Sequence, residues 1–172
     1  MASVRALVSP GSLRERFTSL TRPGKLDSNQ HRIVTWRTGL RMIEAHPWFG
    51  LGPEEVKPQF KSYVPADIHE LPEGWYGHLH NIYLQYAAER GVPTMLCMLW
   101  LLGQVLFDCL RRVWRLPRGR SDLKFVLHGA VAVVIATLIA GVFEYNLGDS
   151  EVLTMFLVVV ASAYAAMECA VA

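Results

Sequence analysis

The chain has 172 residues, 52% of them hydrophobic and only 19% charged, with a formal net charge of +2. That balance excludes a disordered or collagen-like chain and is poorer in charge than an ordinary soluble domain. The small, dispersed excess of cations gives no nucleic-acid surface, so nucleic acid is not expected as a partner.

Residues 1–28 read as irregular, with Pro10-Gly11 and Pro23-Gly24 as turn signals. Asp27 or Ser28 can cap a helix near 30–45, which His46-Pro47 ends. At 100° per residue this helix gathers Arg32, Trp36, Gly39, Leu40 and Ile43 on one side, with Arg37, Arg41 and Glu44 opposite. Arg32 is therefore expected to point inward, where it needs an anionic partner. Two sources are open for that partner, an acid elsewhere in the chain or a ligand.

A glycine-punctuated turn follows, His46-Pro47-Trp48-Phe49-Gly50-Leu51-Gly52-Pro53. Residues 54–77 form a long loop with room for a short helix at Val56–Tyr63, and Trp75 and Tyr76 suit a membrane interface. A second helix is expected at 81–91, with His80 at its start. Taken alone, His80 has three readings: a catalytic base, a metal ligand with His69, His78 and His46, or a plain interfacial polar residue.

From Val92 the composition changes. Three apolar runs, about 92–110, 125–143 and 152–170, read as transmembrane helices. The first two are roughly 27–29 Å long as helices, close to the thickness of a hydrocarbon core. Cys97, Cys109 and Cys169 lie in these runs without a CxxC spacing and read as small buried hydrophobes. The 111–124 connection holds five arginines and Lys124, whereas Glu144–Glu151 holds three acids and no Lys or Arg. The cationic loop is thus expected on the cytoplasmic side, residues 1–91 and 144–151 outside, and the C-terminus in the cytoplasm. The first residues lack the apolar core of a signal peptide. A polar segment carrying eleven cations should not cross a membrane unaided, so the reading expects upstream transmembrane helices or a companion membrane subunit.

The residues Arg32…Trp36…Gly39-Leu40-x-Met42-Ile43…His46-Pro47-x-x-Gly50-x-Gly52, followed by His80-Asn81-x-Tyr83-Leu84…Glu89-x-Gly91, carry a resemblance. They resemble the O-antigen ligase and O-antigen polymerase superfamily, bacterial inner-membrane glycosyltransferases of the GT-C type. His80-Asn81, nine residues and then Gly91 match the ligase spacing, although Thr94 stands where members often have a second glycine. The resemblance implies an all-α integral membrane fold: a periplasmic loop region over 1–91, then three transmembrane helices over 92–172, as in the C-terminal part of a multi-span enzyme. It implies a glycan on undecaprenyl diphosphate as donor and a sugar hydroxyl as acceptor, with neither cofactor nor metal. It also implies His80 as the catalytic histidine, and Arg32, with Arg16 and Asn81, as diphosphate or substrate contacts. A non-catalytic membrane subunit that binds polyprenyl diphosphate or scaffolds an export complex is the alternative.

Overall fold

The computed structural model describes residues 28–71, 76–117 and 121–169. Arg16, Trp75, Arg118 and Arg120 lie outside the described residues. Those described form six α-helices and no strand: α1 (Ser28–Ala45), α2 (Val56–Tyr63), α3 (Ile82–Arg90), α4 (Val92–Arg115), α5 (Ser121–Ala140) and α6 (Ser150–Cys169). A single 3₁₀ turn, Asn146–Gly148, precedes α6. Each of α4, α5 and α6 is long and apolar enough to cross a bilayer. The chain is an all-α integral membrane protein.

The three long helices pack along narrow inner stripes. Leu102, Val105 and Cys109 of α4 meet Leu123, Leu127, Ala130 and Val134 of α5, and Phe156 and Ala163 of α6 close the cluster. These positions recur at three- and four-residue spacing, which keeps them on one side of each helix. The outer faces stay apolar and exposed, with Leu96, Trp100, Phe125, Ile139 and Met155 pointing away from the protein. In water such faces would be costly; in lipid they are solvated. Of the three cysteines only Cys109 is buried; Cys97 and Cys169 sit on the exposed faces instead, because the apolar runs are wider than the stripe that packs.

The first half forms a separate small core of Val34, Met42, Val56, Phe60, Leu79 and Ala88. Here the inward face of α1 differs from the pattern-based expectation. Val34, Thr35, Thr38, Gly39 and Met42 are buried, Arg32, Trp36 and Ile43 flank them, and Leu40 is exposed. The face follows what α1 packs against: Thr35 Oγ1 lies 3.5 Å from the Leu79 carbonyl, and small Gly39 admits the Leu79 side chain. Arg37 and Arg41 are exposed as expected, yet both fasten the long loop. Arg37 grips Asp67 with two hydrogen bonds (2.8 and 3.0 Å), and Arg41 donates to the Val64 carbonyl. The guanidinium of Arg37 holds the Asp67 carboxyl below its ordinary range.

Two close backbone approaches tie the 46–52 turn to α3 and to the start of α4. Leu51 N donates to Ala88 O, Gly52 N to Glu89 O, and Val92 N to Pro47 O, all at 2.8–2.9 Å. Gly50 and Gly91 make this possible: both have positive φ, and a Cβ on either would stand within 2.3 Å of the opposing backbone.

Candidate functional site

The site is built where the start of α3 meets the end of α5. Asn81 caps α3, its Oδ1 accepting from Leu84 N at 2.9 Å. Its Nδ2 donates to Val142 O at 2.9 Å, and Ile82 N donates to Gly141 O at 2.8 Å. These bonds dock the α3 cap onto the turn after α5. Gly141 is needed there, since a Cβ would lie 2.5 Å from Ile82 Cγ2. Asn81 is therefore buried with both ends of its amide engaged in the scaffold.

One residue earlier, His80 adopts a left-handed backbone with φ 48°. Such a conformation costs free energy for any side chain and persists only where its surroundings impose it. The surroundings are explicit. Leu79 is fully buried, and its N–H is held by Gln85 Oε1 at 2.8 Å. Gln85 Nε2 donates to buried Glu89 at 2.7 Å, and the same Glu89 oxygen accepts from Glu54 N. His80 N donates to His78 Nδ1 at 3.1 Å. Residues before and after His80 are thus fixed, and its ring is presented to Glu144 in the turn after α5.

The docking also brings Glu144 into place. Its Oε1 is 3.4 Å from Arg32 Nη2, and its Oε2 is 3.6 Å from His80 Nδ1. The carboxylate is 56% exposed and the arginine 31% exposed, so this is a loose bridge that water or a ligand can reach. Arg32 and His80, 48 positions apart in sequence, converge on one carboxylate from a third segment. Around them lie two further imidazoles: His78 with its ring centroid 4.1 Å from that of His80, and His31 at 5.3 Å. Burial, helped by neighbouring His80, pushes the His78 pKa below its ordinary value, while Glu144 opposes the shift. Accepting a hydrogen bond through Nδ1 fits that neutral ring.

Beside Glu144 opens a cleft of about 820 Å³, whose walls include Lys57, His78, Tyr86, Arg90, Tyr145 and Asp149. Arg90 stacks over the Tyr86 ring at 5.0 Å and donates to Glu89 Oε2 at 3.3 Å, and burial holds the Tyr145 phenol above its ordinary pKa. Its walls mix polar and apolar side chains, with the rings of His78, Tyr86 and Tyr145 among them.

The other histidines do not join this cluster. His46 pairs with Tyr63 at 2.9 Å, and His69 is exposed. Among the described residues no group of three His, Cys, Asp or Glu side chains is arranged to hold a metal ion. Pattern reasoning missed Glu144 and His31. The signal for Glu144 was its position: an acid directly after the second span, on the same predicted side of the membrane as Arg32 and His80.

A family model described as O-antigen ligase matches residues 1–99, a stretch that contains Arg32, His80, Asn81 and Gly91. Glu144 lies beyond it. No curated protein matches the chain.

Proposed function

This chain belongs to the O-antigen ligase family, and from that premise we propose that its Arg32–Glu144–His80 constellation transfers a glycan from a polyprenyl diphosphate to an acceptor sugar hydroxyl. The observation that carries the reading is the convergence of Arg32 and His80 on Glu144. Each residue type suits one half of the reaction. His80, with Nδ1 beside the Glu144 carboxylate, keeps Nε2 to take the acceptor proton. The acceptor oxygen then bonds to the anomeric carbon as the bond from that carbon to the diphosphate oxygen breaks. The diphosphate leaves with the electron pair, and the planar, always-charged guanidinium of Arg32 meets it with paired hydrogen bonds.

Glu144 occupies the Arg32 guanidinium in the free protein. Because that pair is long and exposed, a diphosphate carrying more charge can displace it, leaving Glu144 to hold His80. Asn81 acts through the backbone, as the cap that aims His80. Arg16 remains a second phosphate contact by family resemblance alone. Residues 1–91 and the 144–151 connection face the periplasm of a bacterial inner membrane in this reading, in agreement with the positions of the cations.

The test is transfer from a polyprenyl-diphosphate glycan by the membrane-embedded protein, together with whatever upstream spans or companion subunit it works with. His80→Ala should lower the rate about 10²–10⁴-fold, the range for losing a general base. Arg32→Lys keeps the charge but loses the fork and should lower it at least tenfold, whereas Arg37→Lys should change it less than twofold. Transfer should persist in chelator. Equal tolerance of lysine at positions 32 and 37 would overturn the role of Arg32. Wild-type transfer in His80→Ala would favour the non-catalytic alternative.

A further inference from the structure

At the end of the helices opposite the candidate site, roughly 30 Å away along α4 and α6, lies a second cleft that the transfer reaction does not use. It has a volume of about 650 Å³ and is lined by Arg111, Arg112 and Arg115 of α4 with Tyr164, Met167 and Glu168 of α6. Asp108, deeper in the wall, is already engaged: Tyr164 Oη donates to its Oδ2 at 2.9 Å and Gln104 Nε2 to its Oδ1 at 3.0 Å. Among the described residues none of the three arginines has an ion pair. Arg112 donates only to the Met167 carbonyl at 3.4 Å, and its Nε is buried without a hydrogen-bond partner. Arg111 lies over the Phe107 ring, 6.0 Å from its centroid.

Arg111 and Arg115 also line a second groove, of about 370 Å³, on the outer side of the same helix end. Its remaining walls are Phe107, Leu110 and Trp114, and Trp114 is 84% exposed. Two guanidiniums therefore stand between a cationic cleft and an apolar groove, at the depth where a spanning helix meets the headgroup layer. The positive-inside tendency explains why cations lie at this end, but not why three guanidiniums with no ion pair among the described residues surround a cleft with an apolar groove against it.

We propose that this cleft binds an anionic phospholipid, its phosphodiester between Arg111 and Arg115 and one acyl chain along Phe107 and Leu110. Guanidiniums suit a phosphodiester because they present paired donors to its oxygens. Arg112 supplies a further donor from the cleft wall, and the exposed Glu168 carboxylate at the rim disfavours a second anion. The inference is independent of the transfer chemistry.

Native mass spectrometry of the detergent-solubilised full chain tests it, with phosphatidylglycerol, phosphatidylcholine and inorganic phosphate as separate additions. Phosphatidylglycerol should be retained at least fivefold over phosphatidylcholine, and equimolar inorganic phosphate should not displace it. Arg111→Gln with Arg115→Gln should reduce that preference to about one, while Lys124→Gln, outside the cleft, leaves it unchanged. Circular dichroism checks the helicity of each variant. If the glutamine pair does not fold, Arg111→Lys with Arg115→Lys replaces it and should at least halve the preference. Equal retention of the two lipids overturns the proposal, as does displacement by phosphate, an undiminished preference in the tested pair, or an equal loss in Lys124→Gln.

Discussion

Residues 28–91 and the three long helices after them are held together in different ways. The first region is knit by specific polar links and by backbone brought against backbone: the Gly50 and Gly91 contacts, the Gln85–Glu89 strut and the Asn81 cap. The second is held by a narrow apolar stripe, and most of its surface faces outward with no protein partner among the described residues. The first region tolerates little change in shape, and it contains most of the O-antigen ligase match. The spans need apolar character and length, which many sequences satisfy. Glycine exposes the contrast most directly, because the same residue does opposite things in the two regions.

The largest effect is expected at Gly91 and Gly50. Gly91, with φ 84° and ψ 160°, has a backbone that residues other than glycine essentially avoid, and both it and Gly50, with φ 68°, would cost alanine about 1–3 kcal/mol from the backbone alone. Collision with the Trp48 and Glu89 backbones adds to that. Thermal unfolding of Gly91→Ala and Gly50→Ala in detergent should show both strongly destabilised. A shift no greater than that of an exposed substitution would break the comparison.

A smaller, pH-dependent effect is expected at His78. Its folded pKa is lowered, so the folded protein takes up this proton less readily than the unfolded chain. The stability it contributes is fully present above the unfolded value near 6.5 and is lost as pH falls through the lowered folded pKa. His78→Gln should flatten the dependence of the melting temperature on pH below about 6.5. A variant as acid-sensitive as the parent would place the dependence on another group.

The smallest effect is expected in the spans. A Cβ added at Gly103 or Gly129 would meet nothing within 4 Å among the described residues. Alanine at either should be neutral or stabilising by up to about 1 kcal/mol, the gain in helix propensity. A loss comparable to Gly91→Ala would show that these outer faces are packed against protein, and the two regions would then be alike.

The helices were legible because their causes are local. A charge-free run of spanning length commits α5 to a membrane helix, and His46-Pro47 ends α1 whatever surrounds it. His80-Asn81 and the spaced glycines were legible as a family pattern, since they recur at set intervals along one stretch of chain. The buried face of α1 was not, because its sequence carries apolar residues on more than one side and only contact with Leu79 selects among them.

Sequence alone thus determined that this is an all-α membrane protein of the O-antigen ligase type, with Arg32 and His80 as the residues to watch. It could require an anionic partner for Arg32 without saying which. Only the tertiary structure decided that the partner is Glu144, 112 positions away, and that the same carboxylate reaches His80. The reason is physical: charge and spanning length are properties of a short stretch, whereas a bridge between three segments exists only once the α3 cap has docked on the turn at Gly141.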